Sequence, residues 1–283
     1  MFFLFLLTGC APKTTVVPEV VDANVVSKGR DLFEQHILAI GGRNSIERHQ
    51  NKIIVGKVRH FEELIEWRFI SYHTQDSRFM IWLQHPEHGV ITKGFDGITG
   101  WKGIIQDNKA PTYEEVTGQE LQRLKQQADF IDYENHTNWF PSIISVEQDN
   151  FAGRIVERVQ TINSWQERQD LFFDAENHLL LGTLRFEYLP STTNDVNPSN
   201  RDSKRNKQSE NKNQYQEIWT RYGHYVQVQD IHIPFSIEYS IDGKNKIVLL
   251  EEAYFDVTSQ ERDYIFQKYN FRVSGNSISS PIE

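Results

Sequence analysis

One cysteine in 283 residues excludes an intramolecular disulfide framework and any multi-cysteine metal site. Positive charge is also scarce. Thirty Lys and Arg against 39 Asp and Glu leave a net charge of −9, which repels a phosphate backbone and argues against nucleic acid as a partner. Beyond the first few residues, no apolar run approaches the length of a transmembrane helix. Missing too are a Gly-x-Ser-x-Gly elbow, a phosphate-binding glycine loop, a dinucleotide fingerprint and a His-Glu-x-x-His pair. No catalytic residue, cofactor or metal is therefore expected, and the chain reads as a binding protein rather than an enzyme. His85 and His88 flank Pro86-Glu87 with no third ligand in view, so they read as solvated turn histidines. Glu62-Glu63, Glu114-Glu115 and Glu251-Glu252 have nothing to orient a partner for acid–base work and read as exposed strand or helix ends.

Aromatic residues, by contrast, are plentiful. The 18 Phe, 11 Tyr and 6 Trp are enough for a substantial core and suit strands better than helices. The lone cysteine is also informatively placed. Met1 is followed by an apolar run, Phe2 to Leu7, and then by Thr8-Gly9-Cys10. This resembles a bacterial lipoprotein signal, which ends in Leu, two small residues and Cys. The resemblance implies a signal over 1–10 that ends at the lipidated Cys, with diacylglycerol on the Cys10 thiol. It also implies loss of the residues ahead of it, so that Cys10 becomes the mature amino terminus, and anchoring of the mature chain in a membrane. Ala11 in place of Asp implies the outer membrane, facing the periplasm. The run is shorter than a usual signal core and lacks a preceding Lys or Arg, so a start codon further upstream is expected. Residues 11–23 carry Pro12 and Pro18 and read as a tether.

Residues 24–40 read as an amphipathic helix, with Leu32, Phe33, His36, Ile37 and Ile40 on one face. Asp22 or Asn24 is placed to cap its start, and Gly41-Gly42 to end it. Asn44 with Glu47, and Thr117 with Glu120, have the spacing of capping boxes; the second opens a helix carrying Leu121, Leu124, Ala128 and Ile131. Elsewhere the period is two. Ile65, Trp67 and Phe69 alternate with charged residues, while Phe79, Ile81 and Leu83 share a strand with Met80 and Trp82, which predicts cover on both faces. Ile231 to Ile241 alternates most regularly, and Ile247, Leu249, Ala253, Phe255 and Val257 read as one further face. Asp96-Gly97, Asp174 to Asn177 and Asp242-Gly243 mark turns. Residues 190–213 offer almost nothing to bury and read as a disordered insertion with a basic cluster at Arg201, Lys204, Arg205 and Lys207.

Several motifs together resemble the outer-membrane lipoprotein-sorting family, the LolA/LolB-like fold. They are Gly41-Gly42 after the first helix, Gly56 early in the first strand, Gly94-Phe95-Asp96-Gly97 with Trp101 following, Phe173-Asp174, and Ile233-Pro234. Asp230 stands where the family often has Gly. The resemblance covers roughly residues 25–270, and these turn and packing motifs speak for fold more than function. It implies one α+β domain over 24–270, followed by a tail, 271–283. The fold class expected is a curved antiparallel sheet, an unclosed barrel of roughly ten strands, with helices covering the concave face. It also implies a hydrophobic cavity for acyl chains of lipoproteins or other lipid, in a carrier or receptor, here expected to be a monomer. Ile65, Trp67, Phe69, Phe79, Ile81 and Leu83 are the candidate cavity lining; a filled core is the competing reading. The alternative function is an adaptor or sensor that docks envelope proteins at an open sheet edge.

Overall fold

A computed structural model describes residues 22–61, 65–85, 89–106, 110–188, 215–241 and 243–271. Cys10, the leader, nearly all of the tether, His88, Glu62-Glu63, Asp242, the 190–213 stretch and all of the tail but Phe271 lie outside the described residues.

The chain opens with helices α1 (Ala23–Ala39) and α2 (Arg43–Arg48). Six strands follow: β1 (Asn51–His60), β2 (Glu66–Thr74), β3 (Phe79–His85), β4 (Gly89–Phe95), β5 (Gly100–Ile105) and β6 (Thr112–Val116). Helices α3 (Gly118–Gln127) and α4 (His136–Trp139) lead to β7 (Ser142–Phe151), β8 (Arg154–Ile162), β9 (Arg168–Asp174) and β10 (Leu180–Tyr188). The last elements are β11 (Tyr215–Val228), β12 (Ile231–Ile241), β13 (Lys244–Phe255) and α5 (Ser259–Lys268).

All strands join one antiparallel sheet in the order β6-β5-β4-β3-β2-β1-β13-β12-β11-β10-β9-β8-β7. The chain starts mid-sheet and meanders outward to β6. The segment holding α3 and α4 then carries it to the opposite edge, and a second meander returns to pair β13 with β1. The edges β6 and β7 stay unpaired with each other, so the barrel is open.

Curvature follows from what α3 touches. Lys93 on β4 donates to Gln127 at 3.0 Å, and Lys102 on β5 lies 3.2 Å from Glu120. From the other flank, Glu187 on β10 lies 3.2 Å from Arg123. Seven strand steps separate β4 from β10, about 34 Å in a flat sheet. A ten-residue helix is about 15 Å long. The sheet must curl around α3.

The sheet's two faces are covered differently. Phe79, Phe95 and Val116 pack with Leu124 of α3, with Ile81 and Leu121 at the margin. On the same inner face Ile143, Val159, Leu171, Phe173 and Leu180 meet Leu32 and Phe33 of α1. Ile37, Ile40 and Ile46 meet Ile231, Ile233 and Phe255. On the outer face Ile53, Val55, Ile70, Met80, Trp82 and Trp101 pack under Ile265 and Phe266 of α5. This explains the double-sided burial of β3 and makes Trp101, 8% exposed, a core residue. Phe271 is buried in the same cluster rather than beginning a loose tail.

Several expectations need correction. The sheet has thirteen strands, not about ten, because β7, β8 and β11 hide their alternation behind ion-paired charges. Helices cover both faces, since α5 lies outside. Its signal was legible: Thr258 and Glu261 form a reciprocal capping box. Neither expected box forms. Thr117 precedes α3 without a side-chain cap, Asn44 sits inside α2, and Gly42 is that helix's N-cap. Asp22 does cap α1, accepting from the Asn24 amide at 2.8 Å.

Two glycines are required sterically. Gly41 has φ +134°, and a Cβ there would lie 2.4 Å from the Asp230 carbonyl oxygen. Gly56 sits at a bulge where β1 meets β13, and a Cβ there would strike the Phe69 ring at 2.7 Å. That bulge also swaps faces along β13. Ile247 and Leu249 pair with Arg59 and Lys57 on the outer side, whereas Ala253 and Phe255 pack inward. The single face read from the sequence is two.

Candidate functional site

Register places a strip of apolar side chains on the inner face. Val58 sits opposite both Trp67 and Val248, and Val248 opposite Ile237. Phe69 opposes Leu83, Leu83 opposes Ile91, and Ile91 opposes Ile104. Cross-strand partners share a face, so the strip runs from β12 to β5. Val58, Trp67, Leu83, Ile91, Ile237 and Val248 are each half-buried, and Ile104 is 41% exposed. None of these seven joins a buried cluster among the described residues. Helix α3 covers the inner face at the start of β3 and the end of β4, and α1 covers it at β7 to β9 and at the start of β12; this part is left open among the described residues. A half-exposed apolar strip on the inside of a curled sheet can shelter apolar groups from water.

Trp67 is held between two imidazoles, with the His60 and His85 rings each 4.7 Å from it. Its indole Nε1 is buried without a hydrogen-bond partner among the described residues, which suits a ligand acceptor or an ordered water. Lys246 lays its ammonium 5.2 Å from the centroid of the Tyr239 ring. Burial lowers the pKa of Lys246 and of Lys93; at Lys93 the charge of Glu120 opposes this and that of Lys246 adds to it. Deeper in, Lys52 is 6% exposed and stands 5.4 Å over the Phe130 ring. Burial lowers its pKa, against the raising field of Asp132. Tyr133 is pushed up to about 12, chiefly by burial, while accepting from Gln169 Nε2 at 3.3 Å. No group of three or more metal-ligating side chains occurs among the described residues.

A separate concavity of about 290 Å³ lies near the β7–β8 turn, lined by Phe151, Leu179, Leu181, Arg221 and Tyr225. Beside it Phe151 stacks on Phe172 at 4.6 Å, and Phe172 on Trp219 at 5.9 Å. Its arginines are engaged: Arg154 pairs with Asp174 at 2.9 Å and Arg221 with Glu238 at 3.7 Å.

The six residues proposed as cavity lining divide. Trp67 and Leu83 lie in the open strip. Ile81 is half-buried at its margin against the α3 cluster, and Ile65 is half-buried just before β2. Phe79 and Phe69, 4% and 6% exposed, are consumed by packing, the first under α3 and the second against Gly56. Val58, Ile91, Ile237, Val248, Lys93 and Lys246 were not singled out from sequence. Ile237 had a signal in its alternating strand. The others sit in segments where a bulge or neighbouring charges blur the period.

No family model matches the sequence, and no curated protein matches it. Among solved structures the chain is similar to a LolA superfamily protein from Nitrosomonas europaea, with a TM-score of 0.53 and 7% identity, covering 83% of this chain and 98% of that one. A DUF1329 family protein from Desulfovibrio piger gives a TM-score of 0.49 at 9% identity, covering 82% of this chain and 93% of that one. The MucA/MucB complex of Pseudomonas aeruginosa gives 0.22 at 10% identity, covering 84% and 96% respectively. Of these three, the first bears on the fold and, at its identity, on nothing else. The architecture is thus LolA-like: an open, curved antiparallel sheet with helices inside the curl.

Proposed function

We propose that the protein shelters acyl chains of lipoproteins or lipids along its inner strip, as a carrier or receptor, without catalysing a reaction. On this reading Cys10 carries the lipid that holds the mature chain in the outer membrane, facing the periplasm, as a monomer. The observation that carries the proposal is the uncovered apolar strip around Trp67 and Leu83. Each methylene removed from water contributes about 0.8 kcal/mol. About ten sheltered methylenes supply roughly 8 kcal/mol before the cost of association, enough for reversible holding. No helix among the described residues is long and apolar enough to cross a membrane, so membrane attachment on this reading rests on Cys10.

The adaptor reading has less support. Of the two open edges, β6 is five residues long, with Glu114 67% exposed and paired to Lys102 at 3.0 Å, and β7, ten residues long, carries Glu147 and Asp149 paired to Arg158; charged edges discourage strand addition. The test is extraction of purified Cys10→Ser protein with organic solvent, followed by mass spectrometry. Near-stoichiometric lipid, sharply reduced in Leu83→Glu, is expected. Lipid-free protein that also fails to take up added lipid refutes the proposal.

A further inference from the structure

We propose that Lys93 and Lys246 form a cationic pair that receives the head of the bound molecule, so that the strip selects an acidic lipid over a neutral one of equal chain length. The inference rests on the lipid-binding reading and adds the sign of the head group to it.

The first observation is how differently the lysines are treated. Lys28, Lys57, Lys102 and Lys268 each have a carboxylate oxygen within 3.0 Å. Lys246 has none within ion-pair distance among the described residues; what it meets is the Tyr239 ring. Lys93 meets a neutral amide oxygen of Gln127 at 3.0 Å. The carboxylate whose field favours the charged form of Lys93 is Glu120, which is itself 3.2 Å from Lys102; in a chain of net charge −9, neither Lys93 nor Lys246 has an ion-paired carboxylate among the described residues.

The second observation is their position. Lys93 is opposite Ile81 and two residues along β4 from Ile91, while Lys246 is two residues along β13 from Val248 and opposite His60. Each thus flanks the apolar strip, one on either side of Trp67 and Leu83. The sheet curls around α3, which Lys93 touches through Gln127, and so turns both lysines toward one hollow; there Glu120 favours the protonated Lys93 and Lys246 opposes it. Two partly desolvated like charges beside an apolar strip are unfavourable alone, and an anion relieves both the burial and the repulsion. Two other lysines face inward and take no part: Lys102 is paired with Glu114 and Glu120, and Lys52 is sealed beneath Phe130. A carboxylate or phosphate head with an alkyl chain along Leu83 and Val248 satisfies cations and strip together.

The test is calorimetric titration of the full chain, as Cys10→Ser, with hexadecanoate and with hexadecanol. Binding of hexadecanoate at least tenfold tighter is expected, and it should weaken as salt rises. Lys93→Met with Lys246→Met should erase that preference and keep hexadecanol binding, while Lys246→Arg should largely retain it. Equal affinity for the two probes in the parent protein overturns the inference and leaves lipid binding standing, and needs no folded variant. A preference unchanged in the double variant overturns it as well. Binding of neither probe overturns both readings.

Discussion

Asp230 forms part of a charged clamp whose strength is predictable. His49 donates through Nε2 to Asp230 at 2.7 Å and through Nδ1 to Asp256 at 2.7 Å, and Arg48 also pairs with Asp230. The clamp ties α2 to the β11–β12 turn and to the end of β13, while the His49 ring packs 4.5 Å from Phe255. The imidazole is 7% exposed and the carboxylates 34% and 46%. A fully buried pair costs about 3–5 kcal/mol when broken, and solvent on the carboxylates reduces this. His49→Ala should therefore cost about 2–3 kcal/mol. For a chain of this size that lowers Tm by roughly 4–6 °C.

The pH dependence of this clamp has a definite sign. Burial pulls the His49 pKa down, but the two carboxylates outweigh it and hold the value above its ordinary 6.5. That contribution is complete below 6.5 and is lost as pH rises through the higher folded value. Asp230, through its bond to His49, is held below 3.8. Asp256 is also below 3.8: burial pushes it up, and the Gln50 amide and His49 outweigh that. Their contributions are complete above 3.8 and are lost as pH falls through their folded values. The gap in Tm between parent and His49→Ala should peak between about pH 4 and 6.5 and narrow on either side. Differential scanning calorimetry across that range checks it. A gap under about 2 °C, or one equally wide at about pH 9, refutes the argument.

Gly41→Ala should destabilise by about 2–3 kcal/mol, since φ +134° and the Asp230 carbonyl at 2.4 Å leave no room for a methyl group; thermal melting reads this directly. Asp170 is fully buried, 2.6 Å from Arg158 and 3.1 Å from Arg168, so Asp170→Ala should cost about 3 kcal/mol and lower the urea midpoint by about 1 M. Leu83→Glu should leave Tm within about 2 °C of the parent, because the side chain is only half-buried, and fluorescent fatty-acid titration should show affinity falling more than tenfold.

The local chain determines the helix ending at Gly41-Gly42, the turns at Asp96-Gly97 and Asp174, and the period-two strands containing Trp67, Ile81 and Ile237. Each rests on neighbouring residues alone, through capping, positive φ or alternation, so each was legible. Tertiary structure alone decides which stripes are spent. Phe79 and Leu83 share one strand and one face. Helix α3, which follows the edge strand β6, buries the first and leaves the second open. The phase swap in β13 arises from a bulge that becomes visible only against β1. Strands β7 and β8 escaped notice because charges such as Arg158 are neutralised by Asp170 on a neighbouring strand. Lys93 and Lys246 look like ordinary surface lysines until the sheet curls and places them beside one strip. Alternation tells which residues share a face, but whether that face ends up packed or wet depends on partners distant in the chain.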